Sequence, residues 1–339
     1  MVALRFADGA LWALDQTLLP WREAELELRS ADDVAAAIKR LAIRGAPLIG
    51  VAAAYGVALE LARDPDGLEH ACETLASARP TAVNLGYAVK RVHAAVGASD
   101  DPPAEAALAE ARLIEAQEES ASDALAAHGA DELAGCRRIL THCNTGALAA
   151  PGRGTALAVL AELAQRGSLE RVLASESRPL LQGARLTVYE LRRLGIAHEL
   201  LVDGAAAGLI AAGEVDAVIV GCDRVAANGD VANKVGTYSH ALAAAAAGIP
   251  FVVAGPTSTI DPACPTGAQI VIEERDGAEV LAIRTGPEAD VHELTIAGTP
   301  CRNPAFDVTP AALVTALVTE RGVARPARGE SALSLLASE

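Results

Sequence analysis

Cys143 and Asp223 are the two residues whose setting could carry chemistry. Cys143 closes an apolar run in ILTHCNTG, and the Asn and Gly after it turn the chain ahead of a helix. A thiol beside free backbone N–H groups at a helix start has a lowered pKa and suits acid–base or nucleophilic work. The same residue could equally be a small buried hydrophobe. Asp223 ends another apolar run, in VDAVIVGCDR. A carboxyl at the end of a buried strand is partly desolvated, which raises its pKa and suits a general acid; it could instead cap a turn. Downstream, Asn233-Lys234-Val235-Gly236-Thr237 reads as the opening of a helix, placing one cation beside fresh N–H donors as a ready anion site. Arg44 in RGAP and Arg79 in RPT are lone arginines beside rigid turns, suited to bidentate phosphate contact or to surface ion pairs. Gln182 opens a helix after Arg178-Pro179 and either meets a ligand or faces solvent.

Strand ends must position these groups. From Cys136 onward short β runs alternate with helices: Arg138–Cys143, Arg171–Ser175, Glu199–Val202, Ala217–Gly221 and Phe251–Ala254, with helical stretches between them. That spacing means βαβ units and a parallel, doubly wound sheet, whose ligands sit beyond the carboxyl ends of the strands. Before it, Leu4–Phe6 and Leu11–Leu14 read as strands. Ser30–Leu41 (with Ser30 as N-cap), Ala46–Leu61 and Leu68–Ser77 read as helices. A loop at Gly97–Glu105 precedes an Ala/Glu-rich helix from 104 to about 128, whose acidic face reads as solvated. The expected division is a mostly helical domain with a short β segment over 1–130 and a Rossmann-like domain over 131–339. The tail after Gly322 reads as mobile at its end.

Composition excludes several classes. The 339 residues are 51% hydrophobic but only 3% aromatic, with a formal net charge of −16. Disorder needs low hydrophobicity, and non-specific nucleic-acid binding needs a basic face. An anionic membrane surface would repel the chain, and Gly248 and Pro250 break the apolar run Ala241–Pro256 short of a span. Six scattered cysteines form no C-x-x-C pair, which reads as a cytosolic protein with reduced thiols. There is no Walker-type loop and no G-x-S-x-G elbow. Gly152-Arg153-Gly154 only begins a dinucleotide fingerprint, with Leu157 where the third glycine belongs. The seven histidines never fall at i, i+3 or i, i+4, so they propose no metal site. The residues alone thus describe an α/β enzyme for a small, phosphorylated substrate.

A longer set of motifs goes further. RGAPLIG (44–50), RPTAVNL (79–85), THCNTGAL (141–148), SRPLLQGARLT (177–187), DRVAANGDVANKVGT (223–237), AGPTSTID (254–261) and NPAFDVTP (303–310) resemble the methylthioribose-1-phosphate isomerase family. That family shares a superfamily with the regulatory subunits of initiation factor 2B and with ribose-1,5-bisphosphate isomerase. The resemblance implies an aldose–ketose isomerase of methionine salvage, with Cys143 and Asp223 as the catalytic pair. It implies phosphate binding at Arg44, with Gly45 and Ala46, and at Arg79, and substrate contacts at Gln182, Asn233 and Lys234. It implies a cytoplasmic homodimer with no metal or nucleotide cofactor. Three places depart from the family pattern: Ser175-Glu176-Ser177-Arg178, Asp203-Gly204-Ala205 and Gly86-Tyr87. The last two are expected near the methylthio end of the pocket.

Overall fold

The computed structural model describes residues 2–79 and 82–337. Pro80 and Thr81 of the RPT motif lie outside the described residues. The chain opens with an antiparallel sheet of β1 (Leu4–Ala7), β2 (Ala10–Leu14) and β3 (Glu25–Leu28). Five helices follow: α1 (Ala31–Lys39), α2 (Ala46–Arg63), α3 (Leu68–Ala76), α4 (Val83–Ala98) and α5 (Pro103–Glu132). Ser30 caps α1 by accepting the Asp33 N–H, as its position before two acids implies. Helix α2 carries small apolar residues all round and is buried from Ala46 to Leu61, packed inside the helical layer. It is long and apolar enough to cross a membrane, yet 89% of it is buried within the protein.

The second half alternates strand and helix: β4 (Arg138–Thr141), α6 (Ala156–Gln165), β5 (Arg171–Ser175), α7 (Val188–Arg193), β6 (His198–Leu201), α8 (Ala206–Ala211) and β7 (Ala217–Val220). After β8 (Arg224–Ala226), β9 (Val231–Lys234) and α9 (Thr237–Ala247) come β10 (Phe251–Ala254), β11 (Ile260–Asp261), α10 (Ala278–Leu281), β12 (Ala282–Thr285) and β13 (Asp290–Glu293). The chain ends with β14 (Phe306–Thr309), β15 (Ala316–Thr319) and β16 (Gly322–Ala324). Seven strands form the main sheet in the order β16-β15-β10-β7-β4-β5-β6, parallel except for β16. The central strands β7 (AVIV) and β10 (FVVA) are buried throughout and rich in β-branched or small residues because helices cover both faces, whereas edge strand β6 (HELL) is partly exposed. The winding direction reverses between neighbours β4 and β7, where a crevice opens beyond the strand ends.

Helix α5 ties the layers together. Its 30 residues span about 45 Å. Ala107, Ala111 and Ile114 pack in the helical core, and Leu125, Ala130 and Leu133 pack in the core beneath the sheet. Its acidic face is not wholly solvated, because two acids are drawn inward to hydroxyl donors. Tyr55 donates to Glu115 at 2.5 Å and Ser258 donates to Glu118 at 2.8 Å. Burial holds Glu118 up at about 7. The tail is packed as far as Leu335, since Ala332 and Leu335 bury into the sheet core, and its last two residues lie outside the described residues. Leu125→Ala, where α5 meets the sheet, is expected to cost about 2–5 kcal/mol, measured by urea unfolding. Ser30→Ala should cost only about 1 kcal/mol.

Candidate active site

Cys143 lies two residues past β4 and Asp223 three residues past β7, so both emerge where the winding reverses. They line one cavity of about 610 Å³, together with Arg44, Gly45, Ala46, Arg79, Gln182, Asn233 and Lys234. These seven come from the start of α2, the segment before α4, the turn before α7, and β9. Gly45 has φ +97°, and a Cβ there would stand 2.4 Å from the Ala149 backbone, so the α2 start can only dock this closely with glycine.

Cys143 sits in the left-handed region at φ +63°, a conformation that surrounding contacts must hold. Its N–H donates to Ser177 Oγ at 2.7 Å, and its carbonyl accepts from Thr187 Oγ1 at 2.6 Å. Ser177 is fixed in turn, because its N–H and that of Arg178 donate to the Asp203 carboxylate at 2.8 and 2.7 Å. His142 is fully buried and links Ser175 Oγ (2.5 Å) to the Val235 carbonyl (2.9 Å), which fixes the Cys143 turn against the residue after Lys234. Burial pushes His142 down to about 4, so it is a neutral spacer. Gly183 allows the turn before α7 to close beneath this loop, since a Cβ would fall 1.7 Å from the Ser175 carbonyl oxygen.

The electrostatics follow from burial against local cations. Desolvation raises the Asp223 carboxyl, opposed by Lys234, Arg79 and Arg44. Desolvation also raises the Cys143 thiol, opposed by Arg44 and Lys234. Lys234 is pushed down by burial; its Nζ donates to the Ala305 carbonyl at 2.8 Å and lies 4.8 Å from the Phe306 ring centre. Arg44 donates to Asn144 Oδ1 (2.5 Å) and to the Asn144 carbonyl (2.9 Å). The Asn144 amide donates in turn to buried Glu190 at 2.7 Å. Gln182 is buried, and its Oε1 has no hydrogen-bond partner.

Several expectations need correction. Asn233 and Lys234 do not open a helix; they lie on β9, paired antiparallel with β14. The α9 start is no anion site, because Asp307 takes the Gly236 and Tyr238 N–H groups at 2.7 and 3.1 Å. Gly86, Tyr87, Gly204 and Ala205 do not line the cavity. Its apolar wall comes instead from Trp21, Leu180, Leu181, Ile283 and Val291.

Sequence reasoning also missed the cover formed by α10 and the β12–β13 hairpin. Arg178 Nη2 donates to Val280 at 2.9 Å and ties that cover down. Glu273 beside it pairs with both Arg79 and Arg275 at 2.9 Å. The signal for the hairpin was the Gly286-Pro287 turn between two alternating runs. The signal for Glu190 was an acid four residues after Leu186 on an otherwise apolar helix face.

A doubly wound sheet with an acid and a thiol at its switch point, roofed by a helical layer, defines an α/β enzyme. The initiation factor 2 subunit family model matches residues 42–326. A methylthioribose-1-phosphate isomerase of Anaeromyxobacter sp. (strain K) is 54% identical over 327 residues, covering 96% of this chain and 93% of its own. A 5-deoxyribose 1-phosphate isomerase of Moorella thermoacetica is 48% identical, covering 99% and 97%. The crystal structure of 5-methylthioribose 1-phosphate isomerase from Pyrococcus horikoshii OT3 superposes with a TM-score of 0.86 at 39% identity, covering 96% and 92%. The chain belongs to the initiation factor 2 subunit family, and within it to the methylthioribose-1-phosphate isomerases.

Asn144→Ala should free the Arg44 fork and strip buried Glu190 of a donor. KM for a phosphorylated substrate is expected to rise about 10-fold or more and stability to fall by about 1–3 kcal/mol, read by steady-state kinetics and urea unfolding.

Proposed function

We propose that this enzyme converts 5-methylthioribose 1-phosphate to 5-methylthioribulose 1-phosphate in methionine salvage, with Asp223 and Cys143 as catalytic residues. The observation that carries the reading is a desolvated carboxyl and thiol sharing one cavity with Arg44, Arg79 and Lys234. Arg44, Gly45, Ala46, Arg79, Gln182, Asn233 and Lys234 are assigned to substrate binding. Residues 1–130 and 131–339 are assigned to two domains with the cavity between them, a division supported by the separate helical and sheet cores. The free thiols suit a reducing compartment such as the cytoplasm, and a homodimer is assigned on the family resemblance.

The phosphate on C1 blocks simple opening to an aldehyde. Asp223, whose protonated form burial favours, donates its proton to the ring oxygen as the C1–O bond breaks. C1 is left electron-poor. The hydrogen on C2 then moves to C1 with its electron pair, and the C2 hydroxyl becomes the ketone. Its proton returns to the Asp223 carboxylate formed in the first step, so no proton is gained or lost overall. A neutral Cys143 thiol beside C2 suits this hydride shift, whereas removal of the C2 proton requires a thiolate that burial disfavours. The apolar wall excludes water from the intermediate.

The walls of Trp21, Leu180, Leu181, Ile283 and Val291 suit an uncharged 5-substituent. 5-Deoxyribose 1-phosphate is therefore the second reading, and ribose 1,5-bisphosphate the poorest fit. A purely regulatory role is disfavoured by the acid–thiol pair.

Comparing turnover of the three sugar phosphates tests the assignment: the methylthio substrate should give the highest kcat/KM, and a preference for the bisphosphate would sink it. Asp223→Asn and Cys143→Ser should each lower kcat by at least about 100-fold; near-normal rates in both would remove them from the mechanism. Because Asp223 acts as an acid, kcat should fall as pH rises through its raised pKa, and that limb should vanish in the residual activity of Asp223→Asn. In deuterated water the product should carry no solvent deuterium at C1; incorporation there would exclude the hydride shift.

A further inference from the structure

Arg185 lines the cavity as a guanidinium with no acidic partner among the described residues. Its Nε donates to the Leu180 carbonyl at 3.1 Å, and its Nη1 donates to the Gln16 and Leu19 carbonyls at 3.2 and 3.0 Å. These acceptors are neutral, so the positive charge is oriented but not cancelled. Its Nη2 makes no hydrogen bond within the described protein. Burial and then the nearby Arg44 charge pull its pKa down to about 10, which still leaves a cation at neutral pH.

Arg44 is held in the same manner, by the amide and carbonyl of Asn144 rather than by a carboxylate. Two other cavity arginines are treated differently: Arg40 is neutralised by Asp15 at 2.9 Å and Arg79 by Glu273 at 2.9 Å. The two guanidiniums lie within electrostatic reach of each other and neither is salt-bridged to an acid among the described residues, so an anion laid against both relieves their repulsion. Gln182, one helical turn before Arg185, is 6% exposed, and its Oε1 meets no donor among the described residues. An amide oxygen accepts, so it suits a substrate hydroxyl beside the anion, which leaves Arg185 Nη2 to donate to the anion itself.

We propose that Arg185 binds the anionic group of the substrate, forming with Arg44 a two-arginine phosphate clamp. This rests on the sugar-phosphate reading above. A phosphate dianion carries two charges and three terminal oxygens, enough to accept from Arg185 Nη2 and from the Arg44 N–H groups not committed to Asn144.

The test is Arg185→Met, assayed for KM, kcat, competitive inhibition by inorganic phosphate, and the Tm rise that phosphate gives. KM and the phosphate Ki should both rise about 10- to 100-fold, with kcat within about threefold and the phosphate-induced Tm rise much reduced. A structural clamp joining residues 16–19 to 180–185 would instead lower Tm and leave KM and Ki unchanged; that result overturns the proposal. If Arg185→Met does not fold, Arg185→Lys keeps a cation but loses the planar fork. A phosphate Ki raised at least about threefold supports the clamp, and an unchanged Ki overturns it. Wild-type turnover tests the substrate reading separately, because phosphate binding reports on Arg185 whichever sugar is preferred.

Discussion

A neutral amide, Asn144, stands between the Arg44 guanidinium and the buried Glu190 carboxylate, and the charge of the cavity depends on it. Were Glu190 bonded directly to Arg44, the pair would be neutral and an incoming phosphate would have to displace a carboxylate. The amide passes orientation along the chain without cancelling charge. That distinction matters in a chain of net charge −16, whose overall field repels phosphate. Attraction must come from a few cations kept unneutralised in a low-dielectric cleft, where each is worth more than at the surface.

The position of Asn144 is inherited from the left-handed turn at Cys143. Ser177 and Thr187 hold that turn from two sides, Asp203 holds Ser177, and His142 ties it to the backbone after Lys234. Thiol, cation fork and lysine are therefore set by one connected network, not by independent loops. The same burial that makes the network rigid also raises Asp223 and Cys143. Dryness favours the protonated form of the acid and the cations attract the ester, so the two demands of the proposed reaction are served by one packing arrangement.

Much of the fold was legible because it is local. Apolar runs of four or five residues between helical stretches announce parallel strands, and Ser30 announces α1. Other elements depend on partners far along the chain. β9 reads as the opening of a helix through its Asn and the Gly just after it; it is a strand because Phe306–Thr309 pairs with it from more than 70 residues away in sequence. The inward acids Glu115 and Glu118 look solvated in a helical pattern that cannot know Tyr55 and Ser258 approach them. The β12–β13 cover lies in a stretch of weak patterning and is defined by what it closes over.

By itself, the sequence determined the strand–helix alternation and therefore that Cys143 and Asp223 stand at carboxyl ends of strands, since residue types and spacing act over a few residues. It also contained the motifs shared with the isomerase family. Tertiary structure decided which strand ends are neighbours: β4 and β7 are adjacent although 75 residues, 142–216, separate the end of β4 at Thr141 from the start of β7 at Ala217. It decided that Asp307, not a ligand, fills the α9 start, and that Arg185 and Arg44 line one cavity with neither salt-bridged to an acid among the described residues. The reason is physical. Desolvation, like-charge repulsion and hydrogen-bond satisfaction depend on distances through space, and only the packed chain sets those distances.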